Sequence, residues 1–79
     1  MLTLDQLHAG QRARVDAVDG DDSIVQRMLE MGLFEGESVE VLGFAPLGDP
    51  MEVMLQDYRL SLRCAEAARI RVTVLGKEN

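Results

Sequence analysis

One cysteine, one histidine and a knot of aspartates are the residues of this chain best suited to chemistry. Cys64 is the sole thiol and His8 the sole imidazole. An imidazole and a thiolate together could ligate a metal, and an imidazole beside a nucleophile could act as a base. No second ligand stands at metal spacing from His8, so a surface or capping position suits it better. There is no CxxC, no HExxH and no GxxxxGKS or GxxxxGKT, the spacings that gather ligands or phosphate-binding amides on one turn. Asp19, Asp21 and Asp22 crowd around Gly20, but the oxygen spacing and distal bidentate glutamate of a calcium loop are missing. Carboxylates just ahead of a helix already have a structural use, because they complement its dipole. Ser23 falls at a helix start and Ser38 and Ser61 fall in strands, away from any recognisable triad. An enzyme is therefore not expected. Direct metal handling, as a chaperone or sensor using His8, Cys64 and the loop carboxylates, is the alternative function, and it requires those groups to converge.

Size and charge narrow the field. A chain of 79 residues makes one domain, and one this short buries only about 60–65% of the surface its unfolded form exposes. A single cysteine cannot form an intramolecular disulfide, which fits a reducing compartment and a small buried hydrophobe at Cys64. The formal net charge of −6 argues against a nucleic-acid partner, because phosphate binding needs a positive field. No apolar run approaches the ~18 residues of a membrane span, and the N-terminus lacks the basic and apolar regions of a signal peptide. A soluble, cytoplasmic protein without membrane insertion is expected.

The elements that must position these residues follow from periodicity. Thr3 to Leu7 reads as a helical turn with Gln6 at capping-box spacing from Thr3. Arg12 to Val18 alternates, with Ala13, Val15 and Ala17 inward and Val18 outward. Ser23 is expected to cap the one clear helix, with Ile24, Met28 and Met31 on its apolar stripe beside Val25 and Leu29. Gly32 supplies a left-handed stop, with Leu33 folding back on Met28. Ser38 to Phe44 and Met51 to Gln56 are paired strands with Val39, Val41, Met51, Val53 and Leu55 inward. Asp57 and Tyr58 turn the chain into a third strand, Cys64 to Ala68 is a helical turn, and Arg69 to Leu75 closes the fold with Ile70, Val72 and Val74 inward. Five short strands and one capping α-helix describe a mainly β protein, a small SH3-like barrel over residues 1–75 with a flexible tail at 76–79; an OB-type barrel is the nearest competitor. A barrel would also remove the exposed sheet edges of a lone meander.

Both prolines fall in Ala45-Pro46-Leu47-Gly48-Asp49-Pro50, between two of those strands. Pro46 suits the second position of a β-turn, Gly48 the last position of a type I turn, and Pro50 holds Asp49 extended. The segment reads as a firm loop with Leu47 at its tip. With Val39 and Val41 inward, Leu42, Phe44 and Met54 point outward and could form an apolar patch near Leu47. Such a patch serves either a partner or a second part of the core.

Several of these pieces together resemble one family. Ala45 to Pro50, then Tyr58-Arg59-Leu60-Ser61-Leu62-Arg63, resembles the FeoA family of bacterial ferrous iron transport. Leu4-Asp5-Gln6-Leu7-His8-Ala9-Gly10 resembles its Leu-x-x-Leu-x-x-Gly opening, and Arg27 to Leu33 followed by Gly36 resembles its helix exit. The resemblance runs from about residue 2 to residue 75. It implies an SH3-like barrel, non-catalytic and without cofactor, that acts as a protein-interaction module on the cytoplasmic GTPase side of the FeoB ferrous iron transporter. The same module closes some metal-dependent transcriptional regulators, but no helix-turn-helix is present here. Asp57 stands where the family often has Gly, and tolerates a left-handed turn. Phe34 stands where the family commonly has Thr or Ser, and if exposed it enlarges the adhesive surface. The expected partner-binding residues are Leu47, Phe44, Leu42, Met54 and Phe34, with no metal ligand carried over. Weak homo-oligomerisation through the Leu42, Phe44 and Met54 face is a further reading.

Overall fold

The computed structural model describes residues 1–76. Five strands, β1 (Arg12–Val18), β2 (Ser38–Phe44), β3 (Met51–Leu55), β4 (Tyr58–Leu62) and β5 (Ile70–Leu75), form one antiparallel sheet in the order β4-β3-β2-β1-β5. Helix α1 (Ser23–Glu30) joins β1 to β2, and the short α2 (Cys64–Ala67) joins β4 to β5. A 3₁₀ turn at Leu4–Gln6 precedes β1. Side chains from every strand, from α1 and from the 3₁₀ turn meet in a single core, including Leu4, Val15, Met28, Leu33, Val41, Met51, Leu62 and Ile70. The sheet curls around that core as the expected small barrel. Its ladder is not closed: β4 and β5 end the strand order, and α2 spans the gap with Ala67 buried. The free edge of β5 is partly taken by the N-terminal segment, through a Thr3–Arg71 bridge and the Val72 N–H donating to the Leu2 carbonyl at 3.0 Å. Backbone groups on that edge would otherwise stand unpaired.

Local chemistry explains the helix ends. The Leu33 N–H reaches the Met28 carbonyl at 3.1 Å and the Gly32 N–H the Leu29 carbonyl at 3.0 Å, the paired bonds of a Schellman motif. Gly32 adopts φ of +101°, which side-chain-bearing residues avoid. The start differs from expectation. Asp22, not Ser23, is the cap, and its carboxylate accepts the Val25 N–H at 3.3 Å. The Asp22 carboxylate both caps the helix and forms an ion pair with the distant Arg69, and an uncharged serine hydroxyl offers no such charge. Val25 and Met28 are the buried helix residues, while Ile24, expected on the apolar stripe, is exposed.

Two β-bulges revise the facing of side chains. Val15 pairs with Val72 but Ala17 with Arg71, leaving Asp16 as the extra residue. The extra residue reverses the alternation beyond it. Val18 therefore pairs with buried Ile70 and packs against the core, contrary to the expected outward setting. In β2, Val41 pairs with Val53 but Gly43 with Glu52, so Leu42 is the extra residue and Phe44 comes opposite buried Met51. Phe44 is thus on the core side of the sheet, at an end open enough to leave it 39% exposed. Val74, expected inward, pairs with buried Ala13 but lies exposed near the end of the edge strand β5. The β3–β4 turn is Gln56-Asp57, with Tyr58 already in the strand, and the left-handed residue is Gln56 (φ +50°), not Asp57. Of the expected tail, Gly76 is exposed and residues 77–79 lie outside the described residues.

Candidate functional site

The loop between β2 and β3 has the turn that its residue types dictate. The Gly48 N–H donates to the Ala45 carbonyl at 2.7 Å, with Pro46 second and Gly48 last in the turn. The Ala45 N–H donates to the Pro50 carbonyl at 2.9 Å and closes the loop at its base. Gly48 takes φ of +92°. Leu47 stands at the tip, 97% exposed. Burying such a side chain would be worth about 1.5–3 kcal/mol.

The loop is also tied to the body of the barrel. The Cys64 N–H donates to the Asp49 carboxylate at 2.8 Å, and the Cys64 thiol donates to the Gly48 carbonyl at 3.1 Å. Burial, followed by the neighbouring Asp49 carboxylate, pushes the Cys64 thiol up from its ordinary pKa, so the sulfur keeps its proton. The sequence offered Cys64 as a small buried group or a metal ligand, and Asp49 as a turn former. Their contact joins residues 15 apart, and no local signal announces it.

The expected contact residues divide into separate places. Leu42, Phe44, Pro50, Glu52 and Ser61 line one shallow groove beside the loop. Met54 does not belong to it. Its partners across the sheet are Glu40 and Arg59, and it lines a different groove with Arg12, Ser38 and Gln56. The expected Leu42–Phe44–Met54 patch is therefore broken by the bulge at Leu42, which carries Phe44 out of step with Met54. Phe34 is 51% exposed but lies in the turn before β2, at the opposite end of that strand from Phe44 and the loop.

The groups suited to chemistry are dispersed. Asp19 pairs with Arg71 at 2.6 Å and Asp22 with Arg69 at 2.7 Å. The Arg69 hydrogen bond, then the Val25 N–H, holds the Asp22 carboxyl below its usual range. At the β1 bulge, Asp16 accepts from Thr73 at 2.5 Å and from Arg14 at 3.2 Å, which lowers its pKa likewise, with the Thr73 bond the larger cause. The aspartates thus brace the sheet edge and helix start. His8 is exposed, with its backbone N–H on the Gln11 side-chain oxygen at 2.6 Å. Among the described residues, no three His, Cys, Asp or Glu side chains come together as a metal site. The convergence that direct metal handling requires is not formed. No helix among them is long and apolar enough to cross a membrane.

Comparison with known proteins agrees with this fold. The FeoA domain family matches residues 2–74. A curated relative in Porphyromonas gingivalis, an Fe(2+) transport protein A/Fe(2+) transporter FeoB fusion protein, is 38% identical over 75 residues, which are 95% of this chain and 9% of that one. The solution structure of the FeoA protein from Chlorobium tepidum superposes with a TM-score of 0.89 at 38% identity, covering 99% of this chain and 74% of that one. The crystal structure of Stenotrophomonas maltophilia FeoA complexed with zinc, described as a procaryotic SH3 domain protein, superposes with a TM-score of 0.81 at 32% identity, covering 92% and 91%.

Proposed function

We propose, since this chain belongs to the FeoA family, that it is a non-catalytic accessory of ferrous iron uptake which docks on the cytoplasmic GTPase region of a FeoB transporter. The observation that carries the reading is the fusion relative, where a segment 38% identical to this chain is covalently part of a FeoB protein. Fusing two modules replaces a bimolecular encounter with an intramolecular one, and so is useful when the two must meet. This chain reaches only 9% of that fusion's length. Leu47 on its braced loop, with Phe44 and Leu42 along the adjoining groove, supplies the contact surface. An apolar anchor entering a socket at the centre of an interface is the usual source of most binding energy. Docking would work at the cytoplasmic face of the membrane, with no group on this chain making or breaking bonds.

The reading is tested with the full chain and the purified cytoplasmic region of FeoB from the same organism. Saturable binding is expected, with Leu47→Asp and Phe44→Asp each weakening it at least tenfold, since a charge forced into an apolar socket costs more than about 1.4 kcal/mol. Wild-type affinity in both variants would rule out this surface. An absence of binding by the wild type would overturn the partner.

A further inference from the structure

The two hydrogen bonds inside the loop fix its shape, and the Phe44–Met51 pair at its foot roots it in the hairpin, but neither ties it to the rest of the barrel. The bonds from Asp49 and Gly48 do that, and both end on Cys64, the first residue of α2. The first N–H groups of a helix have no partner within it. Asp49, from a different loop, supplies the acceptor for one of them. The helix that receives the loop is itself held fast. Glu66 accepts the Arg63 N–H at 3.0 Å and pairs with Arg27 on α1, and Ala67 is fully buried. The loop is thus tied to α2, and α2 in turn to α1 and the core. The raised pKa of the thiol keeps its proton in place for the Gly48 carbonyl.

We infer that Asp49 and Cys64 are positioning residues that lock the β2–β3 loop and present Leu47 to the partner in a fixed orientation. The inference rests on the reading of Leu47 as a contact, and it adds the device that sets the strength of that contact. A loop backbone ordered in advance has less freedom to lose on binding, which favours tighter association. Asp49 and Cys64 touch no partner themselves in this scheme. They act through the orientation of Leu47.

The test pairs ¹⁵N relaxation of the full chain with binding to the FeoB cytoplasmic region. In the wild type the Leu47 amide should show an order parameter of about 0.85, falling below about 0.6 in Asp49→Ala. The same variant should bind about threefold to tenfold more weakly. Asp49→Asn, which keeps the acceptor oxygen, should restore both. Cys64→Ala should loosen the loop partly, and Cys64→Ser, which keeps a donor for Gly48, should not. Unchanged amide positions for Val39, Val53 and Ile70 certify the fold in each variant. Leu47 order unchanged in both Asp49→Ala and Cys64→Ala overturns the inference, as does a loosened loop with wild-type affinity. Wild-type binding by Leu47→Asp would instead sink the contact reading, while relaxation still decides whether the lock exists.

Discussion

The Tyr58 hydroxyl on β4 donates to the Met31 carbonyl at the end of α1, and the Cα of Gly32 lies so close that a Cβ there would sit 2.6 Å from the same hydroxyl oxygen. The helix exit and the third strand of the meander are thus fitted to each other at a single point. Gly32→Ala should destabilise the fold by about 1–3 kcal/mol, from the left-handed backbone and the collision together. Tyr58→Phe should cost about 0.5–1.5 kcal/mol, the worth of one hydrogen bond. The double variant should lose less than the sum, because removing the hydroxyl relieves the clash but not the backbone strain. Urea midpoints at constant slope are the measurement.

Core and tip should respond oppositely to truncation. Leu33→Ala empties a fully buried position and should cost about 2–5 kcal/mol, a large share of the stability of a domain this small. Leu47→Ala should stay within about 0.5 kcal/mol of wild type, since the Leu47 side chain is almost fully exposed. Thermal unfolding followed by circular dichroism separates the two.

Acid stability should depend on Asp22. Its folded-state pKa is lowered from the usual 3.8, first by Arg69 and then by the Val25 N–H. A lowered folded pKa stabilises the native state above the unfolded value, and that contribution is lost as pH falls through the folded pKa. Asp22→Asn keeps a good helix cap but loses the charge. The variant should be less stable than wild type above about pH 4, and the gap should close below it. Added salt should narrow the gap, because the Asp22–Arg69 pair is exposed. Urea titrations across that pH range read the effect.

Metal should find no ready site among the described residues. The Cys64 thiol is held protonated by burial and donates to a carbonyl, while Asp19 and Asp22 are engaged by Arg71 and Arg69. Calorimetric titration with Fe²⁺ or Zn²⁺ should give no saturable heat. Saturable heat that Cys64→Ser abolishes would favour the metal-handling role instead.

Much of the fold was written locally. Alternation marked all five strands, and Gly32 with Leu33 marked the helix stop, because the Schellman bonds join residues within one turn. Pro46 and Gly48 marked the loop turn for the same reason. The contact surface was less legible. Leu47 is at a tip wherever the loop sits, but the grouping of Leu42, Phe44 and Met54 assumed an unbroken alternation. An extra residue in a strand is defined only against its partner strand, and neither Asp16 nor Leu42 carries a mark of its own.

The amino-acid order by itself determined where the chain extends, coils and turns, since those choices rest on side-chain periodicity and on backbone limits set by neighbouring residues. Tertiary structure alone decided which face Val18 and Phe44 took, that Asp22 should cap α1 while pairing with Arg69, and that Asp49 should meet Cys64. Each of those outcomes depends on a group far along the chain, and its energy exists only once the core has brought the two together.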